Sequence, residues 1–233
     1  MARQQIKLDD IAFLGRTRAE YARYFNLGQL RPGDRILDAA SGACSFTAEM
    51  RKAGYEVFAA DPLYRLDVDG LAARAEADLD TVCTQLPDVA HNYRWDFYRG
   101  VEDLRRHRER AHCTFLTDFA KHPSHYKTCS LPDTGFPDNV FDVSLVSYFL
   151  FLYDDRLDYA FHKAALLELA RITVSEVQVY PLANLAAERS AHVDALMADD
   201  DLAHLSLQLE DSGFEFVKGA SERLVIRPGK RSA

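Results

Sequence analysis

The chain has little of what most metal, redox and membrane proteins need. Its 233 residues include four cysteines, Cys44, Cys83, Cys113 and Cys129, widely spaced, with no C-x-x-C pair and no histidine pair at ligand spacing. A metal site is therefore not expected, and reduced, mostly buried thiols are. No apolar run approaches the roughly 18 residues of a membrane-spanning helix. The opening Met-Ala-Arg-Gln-Gln is too polar for a secretory signal, so a cytoplasmic protein is expected. Positive charge is in deficit: 28 Lys and Arg against 36 Asp and Glu leave a net charge of -8. That balance argues against a general nucleic-acid binder, because phosphate contacts need clustered cations, although it leaves room for a small basic pocket. No repeat, heptad or low-complexity segment points to an assembly, and the oligomeric state is not readable.

What is present is an ordinary globular composition, 48% hydrophobic and 27% charged. A single domain spanning 1–233 is expected, long enough to bury roughly 70–75% of its unfolded surface. The stretch from Asp34 to Phe46 organises it. Arg35 to Leu37 reads as a buried strand, followed by a turn of small residues and a helix from about Ser45 that carries Phe46, Ala48 and Met50. Such a strand leaves Asp38 and bare backbone amides at the carboxyl edge of a sheet, where open α/β folds bind ligands. There is no G-x-G-x-x-G after it, so the turn that admits a dinucleotide pyrophosphate is missing.

The pattern of two hydrophobic residues, Asp38, three small residues, Gly42 and two small residues resembles motif I of the class I S-adenosylmethionine-dependent methyltransferases, D-x-G-x-G-x-G, with Ala40 and Cys44 at the first and third glycine positions. Three further stretches are similar to that family in the same order. Gly54 to Asp61 reads as a second strand ending in a carboxylate; Leu131 to Tyr148 resembles L-P-F-x-D-x-x-F-D and the fourth strand; Leu166 to Ile172 resembles L-x-E-x-x-R-V. The resemblance covers about residues 31–63 and 126–227. It implies a three-layer Rossmann-like α/β fold with a seven-stranded sheet ordered 3-2-1-4-5-7-6, the last strand antiparallel. It also implies S-adenosyl-L-methionine as cofactor, bound by Asp38, Ala39, Ala40, Ser41, Gly42, Cys44, Asp61, Pro62, Ser130, Leu131 and Ser147. Asp61 would accept hydrogen bonds from the ribose hydroxyls. Ser130 and Leu131 stand where many relatives have an acidic and an apolar residue against adenine.

Ahead of the first strand, Thr17 and Glu20 have capping-box spacing and open a helix with Tyr21, Tyr24 and Phe25. In the family such a helix often folds over the cofactor, which would put Arg16, Tyr21 and Tyr24 at the substrate entrance; the alternative is that these aromatics pack the helix on the sheet. Between strands 2 and 3 the chain spends residues 64–125 on a helical insertion. Apolar periodicity gives helices from Gly70 to Gln85 and from Val101 to about Phe119. A lid over the carboxyl edge of the sheet is the expected role. His91 to Arg99 holds Tyr93 and Trp95, read as substrate contacts or as the insertion's own core. Arg105, Arg106, Arg108 and Arg110 suggest an anionic partner or, more plainly, a solvated face.

Tyr126 to Cys129, Phe141 to Ser147 and Glu176 to Tyr180 read as strands three to five. The tail reads as a helix carrying Leu202, Leu205 and Leu209, then strands Phe214 to Val217 and Arg223 to Ile226. Methyl transfer needs in-line positioning and, for some acceptors, a base. Tyr148, Tyr153 and His162 are the catalytic candidates, with His122 and His125 arriving from the lid, although a residue inside a helix, as His162 is, serves structure equally well. The favoured function is methyl transfer to an O or N atom of a small molecule; the alternatives are a protein or RNA methyltransferase and a non-catalytic cofactor-binding relative.

Overall fold

The computed structural model describes residues 5–229. Strands β1 (Arg35–Ala39), β2 (Glu56–Ala60), β3 (Tyr126–Lys127), β4 (Phe141–Ser147), β5 (Thr173–Tyr180), β6 (Ser206–Asp211) and β7 (Glu222–Arg227) form one sheet in the order β3-β2-β1-β4-β5-β7-β6. The first five strands are parallel, and β7 runs antiparallel to both β5 and β6. This is the topology the resemblance implies.

Strand periodicity sorts the core onto two faces. Leu37 and Ala39 of β1 point to one face, joining Leu166 and Leu169 of helix α5 (Tyr159–Ile172) and Val193 and Leu196 of α6 (Ala191–Met197). Ile36 points to the other, with Tyr21 and Tyr24 of α1 (Arg18–Tyr24) and Phe46 and Met50 of α2 (Phe46–Lys52). Both faces of the central parallel strands are covered, so β4 is buried nearly throughout, its Ser144 hydroxyl bonded to that of Thr173.

The insertion forms α3 (Val68–Gln85) and α4 (Val101–Lys121), which pack on each other. Leu71 and Ala75 of α3 and Phe115 of α4 meet Phe13, Tyr64 and Tyr126, so this pair of helices extends the α2 face. Leu79, Val82 and Leu86 continue the same stripe toward Tyr98, Leu104 and Phe216.

The tail departs from the sequence reading. Leu205 to Leu209 is not helical; Ser206–Asp211 is the edge strand, with Leu207 opposite Ile226 and Leu209 opposite Leu224. The residues satisfy two periods: 202, 205 and 209 fit a helix, whereas 205, 207 and 209 fit a strand, and pairing with β7 decides. Phe214 to Val217 is irregular; it belongs to no strand and carries an isolated bridge between Tyr93 and Val217. β3 is two residues shorter than expected, β1 two residues longer, and β5 starts at Thr173.

Candidate functional site

The turn after β1 is built from positive-φ backbone: Ala40 lies at φ 51° and Gly42 at φ 58°. A Cβ on Gly42 would sit 2.7 Å from the Leu14 carbonyl oxygen, so this one retained glycine is required by both conformation and space. Asp38 lies under the turn, fully buried, accepting from the Tyr21 hydroxyl at 2.8 Å and the Ser41 hydroxyl at 2.6 Å. Burial pushes its carboxyl up to about 7 despite these bonds. Cys44 accepts from the Arg16 amide at 3.2 Å and the Tyr21 hydroxyl at 3.3 Å, and burial pushes its thiol up to about 12, so it is an inert spacer.

Asp61 at the tip of β2 ties the turn down from the other side. It accepts from the Gly42 amide at 3.0 Å and the Leu63 amide at 2.9 Å, and burial raises it to about 6. The Tyr64 hydroxyl donates to the Gly42 carbonyl at 2.8 Å. A turn that has lost two of its three motif glycines is thus held by a carboxylate and a phenol.

Above this turn lies a cavity of about 350 Å³, within the roughly 300–1,000 Å³ typical of small-molecule sites. It is lined at the carboxyl ends of the strands by Ala39, Ala40, Ser41 and Gly42, by Asp61 and Pro62, by Ser130 and Leu131, and by Ser147 and Tyr148. Nine of the eleven predicted cofactor residues are therefore brought together. Asp38 and Cys44 are not among the lining residues and act beneath the turn.

A second cavity, of about 80 Å³, lies between the sheet edge and the insertion, where Val82, Leu86, Tyr93, Leu104 and Arg108 meet Leu152, Tyr153 and Phe216. Ala12, Leu14, Arg16 and Tyr148 line both cavities. Tyr148 follows β4 at φ 53°, its amide bonded to the Tyr180 carbonyl at 2.6 Å. The Arg16 guanidinium lies over its ring, 3.7 Å from the centroid. The Ser147 and Tyr148 hydroxyls and Arg16 Nε are buried with no hydrogen-bond partner among the described residues. Orphaned polar atoms gathered on one cavity wall are what a site for a polar ligand presents.

Several other predicted residues lie elsewhere. Tyr21 and Tyr24 are fully buried; Tyr21 stacks on Phe46 and Tyr24 on Tyr180, so they pack the helix on the sheet and do not line an entrance. Trp95 packs edge-on to Phe216 and donates from its indole to the Ala90 carbonyl at 3.1 Å, inside the insertion's own core. His162 is fully buried, its ring nitrogens against the Asp158 and Leu150 carbonyls, and it lines neither cavity. His125 lies against the Val57 carbonyl and His122 is exposed beside Asp118. Of the arginine row, Arg105 and Arg106 pair on the surface with Asp80 and Asp103, whereas Arg108 is buried on Glu20.

Sequence reading missed the segment Asp10 to Leu14, which roofs the first cavity, and His112, whose Nε2 accepts from the Gly15 amide at 3.1 Å. Burial, with help from Arg108, pushes His112 down to about 4, keeping it a neutral acceptor. The segment has no periodicity and His112 no motif, so nothing marked them.

No family model matches the sequence. Across 223 residues, 95% of this chain and 98% of the relative, it is 35% identical to the uncharacterized protein MJ0045 of Methanocaldococcus jannaschii. Among solved structures it is similar to a TehB-like S-adenosylmethionine-dependent methyltransferase of Corynebacterium glutamicum, at 16% identity and a TM-score of 0.48 over 95% of this chain and 89% of that one. It is also similar to the magnesium protoporphyrin IX methyltransferase of Synechocystis with bound S-adenosylmethionine, at 11% identity and a TM-score of 0.45 over 91% and 78%. Overlaps this loose carry no argument about the site; the strand order carries the fold. The chain belongs to one family with the Methanocaldococcus protein, and it has the seven-stranded class I methyltransferase fold.

Proposed function

We propose that the protein is an S-adenosylmethionine-dependent methyltransferase that holds its cofactor in the first cavity and presents a small molecule from the second for methylation at an O or N atom. The observation that carries this reading is the common wall: Leu14, Arg16 and Tyr148 separate two cavities that adjoin at the carboxyl edge of the sheet. The bound cofactor would supply an electrophilic sulfonium methyl, reactive enough that positioning is the main task left to the protein.

The residues present fit that ligand. Asp61 uses two of its acceptor positions on backbone amides, and an ionised carboxylate has about four, so it can still receive ribose hydroxyls. Ala39, Ala40 and Gly42 allow close approach to the backbone. Ser147 offers an unpartnered hydroxyl, and Ser130 and Leu131 offer a polar and an apolar edge. The small second cavity favours a small acceptor over a protein or RNA chain.

Calorimetric titration of S-adenosylmethionine and S-adenosylhomocysteine into wild type and Asp61→Ala tests the cofactor site. Binding to the wild type that weakens roughly tenfold or more in the variant is the expected result. Absence of binding by either nucleoside sinks the reading.

A further inference from the structure

From the common wall we infer the acceptor's chemical class: the second cavity takes a small, mostly apolar carboxylate, with Arg16 as its counter-ion, and the carboxylate oxygen is the nucleophile. This rests on the reading of the first cavity as the cofactor site.

Three observations carry it. Among the described residues Arg16 makes no ion pair, and its buried Nε has no partner; the tyrosine ring beneath it leaves the edge of its guanidinium free to face a ligand. Arg108, the other cation on the cavity, is neutralised by Glu20 at 2.5 Å. Arg16 is therefore the cation on the cavity without a contacting carboxylate, although the buried Asp38 feels its charge, and a planar guanidinium matches a carboxylate better than any other small anion except phosphate. Most of the rest of the lining is apolar, with Leu14, Val82, Leu86 and Leu104 among its members and Asn184 and three tyrosines as its polar members, which suits a hydrocarbon tail and not a phosphate ester.

The third observation concerns protons. The described residues lining the second cavity include no Asp, Glu, His or Lys. Burial raises Tyr148 and Tyr153, so neither phenol is a base. A neutral alcohol or a protonated amine would have no group to take its proton there, whereas a carboxylate arrives already ionised. Its oxygen forms the new O–C bond as the S–C bond breaks, the electron pair of that bond goes to sulfur, and a methyl ester and a neutral thioether result with no proton released. The anion also offsets the mutual repulsion of the Arg16 and sulfonium charges. A cavity of about 80 Å³ sets the size: a short chain of a few carbons.

The test uses butyrate, butyramide and butylamine, nearly isosteric probes that differ in charge. Each is titrated by ligand-observed NMR into the full chain saturated with S-adenosylhomocysteine. We expect butyrate to bind roughly tenfold or more tighter than either analogue, Arg16→Gln to abolish that preference, and Arg16→Lys to keep part of it. Thermal unfolding checks that the variants are folded, and where Arg16→Gln is not, the ranking of the three probes on the wild type still decides. Equal binding of butyramide or butylamine, or butyrate binding untouched by folded Arg16→Gln, overturns the inference. If S-adenosylhomocysteine binds and none of the three probes does, this inference fails and the cofactor reading stands. If butyrate binds through Arg16 while the nucleoside does not, the anion site stands and the methyltransferase reading falls.

Discussion

Glu20 and Arg108 meet at 2.5 Å although the carboxylate is fully buried and the guanidinium 3% exposed. Glu20 also accepts from the Thr17 amide and from the Tyr98 hydroxyl, so one side chain caps α1 and locks the insertion to it. Removing one partner leaves a buried charge. Arg108→Met is expected to cost about 3–5 kcal/mol, whereas Glu20→Leu combined with Arg108→Met recovers much of it. Urea unfolding of the single and double variants checks this. Burial by itself would raise Glu20, but Arg108, Tyr98 and Thr17 outweigh it and hold it at about 2, against an ordinary 4.5. Its contribution is therefore present above 4.5 and lost as pH falls toward 2.

Asp38 has the opposite sign. Its carboxyl is raised from 3.8 to about 7, so between these values the folded state holds more protons than the unfolded one. Stability from this group is full below 3.8 and declines as pH climbs to 7. The urea midpoint of Asp38→Asn, followed across that window, is expected to fall less steeply than that of the wild type.

Gly42→Ala is expected to destabilise by about 1–3 kcal/mol, since a Cβ at positive φ adds strain and meets the Leu14 oxygen at 2.7 Å. The same shift moves the Leu14 segment, so nucleoside affinity falls with it. Calorimetry and thermal unfolding on one preparation show whether both drop together.

Tyr148→Phe removes a buried hydroxyl that has no partner, and such a group costs about 1–3 kcal/mol while it stays unsatisfied. The variant is expected to unfold no earlier than the wild type and to bind a polar ligand of the wall more weakly. Lower stability with unchanged ligand affinity counts against a place for this hydroxyl in the site.

His162→Leu separates a structural from a catalytic histidine. The ring, held neutral by burial, has one N–H for the two carbonyls beside it; the Asp158 carbonyl keeps the His162 amide in the variant, whereas the Leu150 carbonyl loses its side-chain contact inside the core, for a loss of about 1–3 kcal/mol. Nucleoside affinity of the folded variant is expected to stay at the wild-type level.

The parallel half of the fold was legible because its signals are local. Phe141, Val143, Leu145 and Val146 mark Phe141 to Ser147 as a buried central strand, and the capping box at Thr17 and Glu20 forms as the spacing predicts. The edge was harder: Leu202, Leu205 and Leu209 keep helical spacing while Leu205, Leu207 and Leu209 keep strand spacing, and only β7 chooses between them. For the site, motif spacing finds residues that touch backbone, such as Gly42 and Asp61. It cannot separate Arg108 from Arg105 and Arg106, because a buried and a solvated arginine look alike until the neighbouring helix is in place. Tyr21 and Tyr24 show the converse, since aromatics near a site are as often its foundation as its lining.

The segment that roofs both cavities is fastened by amides donating to side chains: Ala12 to Tyr153, Phe13 to Asp78, Gly15 to His112 and Arg16 to Cys44. These anchors come from four different parts of the chain, and none is a rung of the sheet. The roof is therefore held independently of the floor, and weakening an anchor would loosen the cover without disturbing the strands beneath it. Asp78 and His112 border neither chamber, yet a change at either would be felt inside both, through the cover and not through contact with what it encloses.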